Sequence, residues 1–197
     1  MKTLAFLGIV ITAWIVYSRE NAPLTYPPGV LIAADPTQIA APDDAPISFG
    51  KFQLKPLAQF SCDARVLHRK TYRYDRCAAL APVDLAIGWG PMSDQAVLDQ
   101  LTISQAARFF YYEYRQPPIP QEAIISHATN VHVIPSTPEI EARCKGLRSG
   151  ELIHLSGLLV EAAGNGLGTW RSSLTRTDSG NGACELVWVE QLEKLER

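Results

Sequence analysis

The most regular alternation of apolar and polar residues lies near the C-terminus. In Leu152–Glu161 (LIHLSGLLVE), Ile153, Leu155 and Leu159 fall on one face and His154 and Ser156 on the other, the two-residue period of a half-buried strand. Gly157 interrupts it and predicts a bend or bulge. A glycine-rich loop over Ala162–Gly168, a second strand over Thr169–Thr177, a tight turn at Asp178–Gly182 (DSGNG) and a third strand over Ala183–Val189 follow, which together predict an antiparallel β-meander. Gln191–Arg197 reads as a short charged end.

Upstream the pattern is less even. Ser61–Leu67 (SCDARVL) reads as a short strand, and His68–Arg76 (HRKTYRYDR) as a charged, aromatic loop with the densest basic run in the chain. Gly88, Gly90 and Pro91 around Trp89 cannot continue a helix. Ser93 then caps one, with Asp94 in its first turn and Ala96, Val97, Leu98 and Leu101 as its apolar face. That helix is expected to end near Arg108, where the aromatic run Phe109–Tyr112 favours a strand. Ala123–Ile134 reads as strand–turn–strand. A further helix starts at a Ser136 or Thr137 cap, with Pro138 in its first position and Glu139 and Glu141 in its first turn, and ends at Gly146. The expected fold class is therefore α+β: an antiparallel β-meander or small barrel at the C-terminal end, two or three inserted helices, and one apolar helix ahead of them. The bent strand followed by a hairpin is similar in outline to OB-like barrels, over residues 150–190.

The apolar helix is Thr3–Ser18, which carries no charge and lies between Lys2 and Arg19-Glu20. It has two readings, a signal peptide cleaved after Ser18 or an uncleaved membrane anchor. The anchor is favoured, because bulky Tyr17 and charged Arg19 flank the only tolerable cleavage point. Residues 1–20 are then an anchor in the inner (cytoplasmic) membrane, with the remainder in the periplasm or outside the cell. Residues 21–46 hold six of the fourteen prolines and read as a semi-rigid tether. Residues 47–197 form a single extracytoplasmic domain. Cys62, Cys77, Cys144 and Cys184 show no close spacing, which speaks against a zinc or thiol-redox motif. In an exported domain they suggest two disulfides, with the local pairing Cys62–Cys77 and Cys144–Cys184 expected; buried thiols are the alternative. A net charge of −2 argues against nucleic acid as a partner.

The segments PVDLAIGWGPMSD, SHATNVHVIP and WRSSLTRTDSGNGACELVWVE resemble a family of bacterial membrane-anchored proteins of unknown function. The resemblance spans most of residues 60–190 and implies anchorage but no activity.

Three groups carry candidate chemistry. His127, Asn130 and His132 are spaced for an acid–base pair or, with Asp178 or Glu185 added, for part of a metal site; no metal motif such as HExxH is present, and neither metal nor cofactor is expected. Arg171, Ser173 and Arg176, leading to Asp178, are suited to a phosphate or carboxylate, although no GxSxG surrounds the serines. Trp89, between two glycines, is either an exposed docking aromatic or a core plug. No motif imposes an activated group with a positioned partner. The expected function is thus a membrane-tethered binding or accessory domain of the cell envelope, held through residues 3–18 and able to engage an envelope protein. Two rivals remain: a hydrolase, with phosphoesters as one substrate class, using His127 and His132 with Arg171, Arg176 or Asp178; and an interaction scaffold presenting Trp89 and the basic loop 68–76.

Overall fold

A computed structural model describes residues 22–41, 45–175, 180 and 182–196. Its backbone is built around one long strand. From Phe52 to Val66 the even-numbered Phe52, Leu54, Ala58, Phe60, Cys62, Ala64 and Val66 are buried, while Gln53, Lys55, Gln59 and Asp63 are exposed. This period of two makes a single twenty-residue strand, β3, Phe52–Thr71. Pro56 is tolerated inside it because the pairing register shifts between Pro56 and Ala58. β3 is long enough to pair along its length with two different strands, and this closes the sheet.

In chain order the remaining strands are β1 (Thr37–Ala40), β2 (Ile47–Phe49), β4 (Val83–Gly88), β5 (Thr102–Ala106), β6 (Phe109–Glu113), β7 (Ala128–Pro135), β8 (Leu152–Gly164), β9 (Thr169–Arg171) and β10 (Glu185–Lys194). The helices are α1 (Gln95–Leu98), α2 (Gln121–Ser126) and α3 (Pro138–Lys145), with a 3-10 turn at Gly90–Ser93. β3 pairs with β4, β4 with β7, β7 with β10, β10 with β8, and β8 with β3 again, so five strands form a closed ring. All of these pairings are antiparallel except β7–β10, which is parallel.

The interior holds Val83, Leu85 and Ile87 of β4, Val131 and Val133 of β7, Leu155 and Leu159 of β8, and Val187 and Val189 of β10. α3 covers the ring with Ile140 and Cys144, which join this core. Its start follows the local chemistry: Thr137 Oγ1 accepts from the Ile140 N–H at 3.3 Å, and Pro138 occupies a position whose N–H would be unpaired anyway. β5 and β6 form a hairpin that leaves the ring and, with α2, buries Leu67, Ala86, Met92 and Ile124 against its outer side.

Several expectations are corrected. Among the described residues the fold is mostly β, with 46% in strands and 13% in helices, and its principal sheet is mixed, so the α+β class does not hold. No C-terminal meander forms. β10 lies between β7 and β8 because Leu186, Val187 and Val189 complete two cores at once, and this places it parallel to β7. The ring therefore runs over residues 52–194 rather than 150–190. The helix expected to run on toward Arg108 stops after one turn, and residues 102–113 are the hairpin. In 123–134 the first half is α2 and the second β7.

The expected disulfides are absent: none of the four cysteines is disulfide-bonded. Cys62 and Cys144 pack in the barrel core instead, where burial pushes the Cys144 thiol up to about 12. Cys62 faces the barrel interior, whereas Cys77 lies in the connection after β3, outside that core. The expected membrane-spanning helix finds no support either. Among the described residues no helix is long and apolar enough to cross a membrane, and the segment 3–18 lies outside them.

The proline-rich stretch is not a free tether where it is described. Leu31 and Ile32 N–H groups both donate to Ser93 Oγ at 3.0 Å, the Gly29 N–H donates to Asp94 at 2.8 Å, and Ile32 enters the core. Arg65, only 2% exposed, donates from Nη2 to Leu24 O at 3.2 Å and from Nη1 to Ser93 O at 3.0 Å, and lies over the Tyr26 ring. Burial lowers the pKa of this guanidinium, against the pull of Tyr26, Asp99 and Asp94. Residues 22–35 are thereby strapped to the barrel.

Candidate functional site

The outward face of β4 and β7 carries the polar residues that the barrel core cannot hold. Asp84 on β4 and His132 on β7 are direct cross-strand partners. Both point away from the interior, since their neighbours Val83, Leu85, Val131 and Val133 point into it. His132 Nδ1 lies 2.9 Å from Asp84 Oδ1. A carboxylate on Nδ1 holds the ring proton there and leaves Nε2 as an acceptor. The Trp170 ring rests on the other side of the imidazole, with 4.7 Å between centroids.

Asp84 is completely buried, and its charge is met by Arg108 at 3.1 Å. Arg108 comes from the β5–β6 hairpin turn. Ala107 and Arg108 form a two-residue connection between Ala106 and Phe109, with φ of +48° and +72°. Both values lie in the left-handed region, which costs an L-residue roughly 1–2 kcal/mol each. The turn is held by what its arginine does. Nε and Nη2 donate to Asp75, Nη1 donates to Ala81 O at 2.7 Å and to Asp84, and the guanidinium stacks 3.6 Å above the Tyr72 ring. The Tyr72 hydroxyl accepts from the Arg108 N–H at 3.3 Å. Burial, then the Asp84 charge, push the Tyr72 phenol up to about 12.

The network continues along β7. Asn130 Nδ2 donates to Arg108 O at 3.1 Å, Asn130 Oδ1 accepts from Gln105 Nε2, and Gln105 Oε1 meets His68 Nδ1 at 2.9 Å. Asp84 Oδ2 is buried with no hydrogen-bond partner among the described residues.

Above His132 opens a cavity of about 380 Å³, lined by Cys77, Phe109, Leu167, Trp170, Arg171 and Cys184 around the imidazole. It lies between the 72–82 connection and the β8–β10 connection, over the β4–β7 face. Its walls are largely apolar. The described residues supply no hydrogen bond to His132 Nε2. Burial pushes the Cys77 thiol up, with the Arg108 charge opposing. Cys184 Sγ lies 3.7 Å from Asn130 Nδ2 and 3.9 Å from Arg108 O.

The structure thus joins His132 and Arg171 from the sequence candidates around one cleft, with Asn130 on a neighbouring cavity, but not His127. That ring packs on Gly90 and beside Trp89, with Nδ1 2.8 Å from Ala123 O. Trp89 is 1% exposed, and its indole N–H donates to Asp35 at 3.0 Å; it is a core plug, not a docking aromatic. Half of the proposed basic loop is strand, because His68–Thr71 continue β3. Ser173 Oγ bonds to the backbone of Thr175. Arg176 and Asp178 lie outside the described residues. Glu185 is buried and accepts from Thr129 Oγ1. Among the described residues no group of three or more His, Cys, Asp or Glu gathers in the reach of one metal ion.

Sequence reasoning missed Arg108, Asp75, Tyr72 and Trp170 as parts of the site. A signal for Asp84 existed: it is the one charge in the otherwise apolar strand VDLAIG. A charge in a run covered on both faces needs a buried partner. Compared with protein-family models, with curated proteins and with solved structures, the chain matches none.

Proposed function

We propose that this domain is a binding module whose ligand occupies the cleft over His132. The observation that carries the reading is the polarity of that cleft: largely apolar walls around an imidazole whose Nδ1 is committed to a buried carboxylate. Ligand sites are mostly apolar concavities with a few fixed polar groups, and His132 is such a group. The ring cannot turn without breaking its bond to Asp84, and Asp84 cannot turn without losing Arg108. The test is a heteronuclear NMR screen with a mixture of neutral and anionic organic fragments. Binding should shift the Trp170 indole and His132 ring signals, and Trp170→Ala should abolish the shifts. Fragments that perturb other surfaces and leave these two rings unmoved would refute the reading.

The Asp84–His132 pair favours a second reading, hydrolysis. An orienting carboxylate on Nδ1 with Nε2 in a cleft is the arrangement of a general base. Nε2 would take a proton from water as the water oxygen attacks an ester carbon, and the alkoxide or phenolate would leave. Neither cysteine is arranged as the nucleophile, since burial pushes the Cys77 thiol up, away from the thiolate, and Cys184 faces Asn130 and Arg108 O. Release of nitrophenolate from p-nitrophenyl acetate, lost in His132→Gln, would support this reading; a rate equal in wild type and variant would end it.

A further inference from the structure

Resting on the binding reading above, we infer that the ligand is an unbranched amphipathic carboxylate. Its chain passes from the His132 cleft into a second cavity. That cavity, about 210 Å³, is lined by Phe110, Tyr112, Ile124, Ile125 and Ala128, and it shares Phe109 and Cys184 with the cleft over His132. The two cavities therefore adjoin at Phe109 and Cys184, an aromatic ring and a sulfur.

Two of the polar side chains around the second cavity are already engaged, and the third, Gln121, stands exposed at its edge. Asn130 holds Arg108 O and Gln105, and Thr129 Oγ1 donates to Glu185. What enters there is recognised by contact area, which suits a methylene chain and not a sugar or a peptide backbone. At the other end the charge is on the rim. Arg108 cannot serve an anion, since its N–H donors are spent on Asp75, Asp84 and Ala81 O. Arg171 can. Its side chain is 52% exposed and lines the cleft, and its pair with Glu161 at 2.7 Å is a surface pair of little strength, open to exchange. Arg76, next to Cys77, donates to Gly166 O on the same rim, and its charge adds to that of Arg171.

The experiment is calorimetric titration with hexanoate, dodecanoate and 1-dodecanol, on wild type, Ile125→Trp, Arg171→Gln and Trp170→Ala, with folding of each variant checked by circular dichroism. Dodecanoate should bind at least tenfold more tightly than hexanoate. Ile125→Trp, which fills the second cavity, should bring dodecanoate to the hexanoate level and leave hexanoate unchanged. Arg171→Gln should weaken both acids severalfold and leave 1-dodecanol unchanged. Equal affinities for the two acids in wild type, or a folded Ile125→Trp that binds dodecanoate normally, would overturn the inference. If the fragment screen still moves the Trp170 indole in either case, the binding reading survives. If neither the acids nor any fragment moves it, the binding reading falls as well.

Discussion

Replacing Arg108 by alanine strips the guanidinium from a carboxylate that has no solvent exposure. Asp84 Oδ1 would keep its bond to His132, and Oδ2 has no hydrogen-bond partner to compensate. Removing one member of a buried ion pair costs about 3–5 kcal/mol, most of it the charge left behind. The stacking on Tyr72 and the bond to Ala81 O add about 1 kcal/mol each, while the half-exposed Asp75 recovers water and adds little. The expected loss is about 5–7 kcal/mol, a large part of the 5–15 kcal/mol that roughly brackets domains of this kind.

Two companion variants separate the causes. Arg108→Gly removes the same contacts but relieves the backbone at φ +72°, so it should be about 1 kcal/mol less destabilised than Arg108→Ala. Asp84→Asn in the Arg108→Ala background removes the stranded charge and should recover about 2 kcal/mol. Urea denaturation followed by circular dichroism measures all four proteins, with an unchanged slope and a shifted midpoint expected. Arg108→Ala within 1 kcal/mol of wild type, or a double variant no more stable than Arg108→Ala, would refute the claim that Arg108 neutralises Asp84.

Three further predictions concern the body of the domain. Ser93→Ala leaves the Leu31 and Ile32 N–H groups without their acceptor, so it should cost about 2–3 kcal/mol and open residues 22–35 to limited proteolysis well before the barrel is cut. Glu151 is nearly buried, which raises its pKa, but Lys194 at 2.6 Å and the Arg148 N–H at 2.9 Å outweigh that and hold it below the usual carboxylate value. A depressed acid stabilises the fold above its unfolded pKa, and the effect is lost as pH falls through the folded one. Glu151→Gln should therefore cost about 1 kcal/mol at pH 7 and nearly nothing below about pH 3, as read by thermal melts across that range. Alkylation with iodoacetamide under denaturing, non-reducing conditions should modify all four cysteines, and a mass short by two or four labels would contradict the thiol state described above.

What could be read from the sequence was local, and what could not was non-local. The cap at Thr137, the proline after it and the stop at Gly146 specify α3 within ten residues, and the helix stands there. The alternation from Phe52 to Val66 was equally local, but Pro56 reads as a stop unless the bulge beside it is known, and a bulge belongs to a pair of strands. The placement of β10 beside β7 joins residues more than fifty positions apart, and no local pattern encodes it. The same division runs through the site. His132 and Asn130 were visible as polar residues in an apolar strand, and Asp84 was visible for the same reason. Arg108 was not, because the two-residue turn that presents it has alanine and arginine where Asn-Gly would announce a hairpin. That mismatch is itself informative. A turn sequence that opposes its own backbone persists only if something elsewhere holds it, and here the arginine that carries the strain also fixes Asp84, and through Asp84 the imidazole of the cleft. The strained turn and the oriented histidine are therefore one structural unit, and a substitution that relaxes the turn while removing the guanidinium frees the site as well.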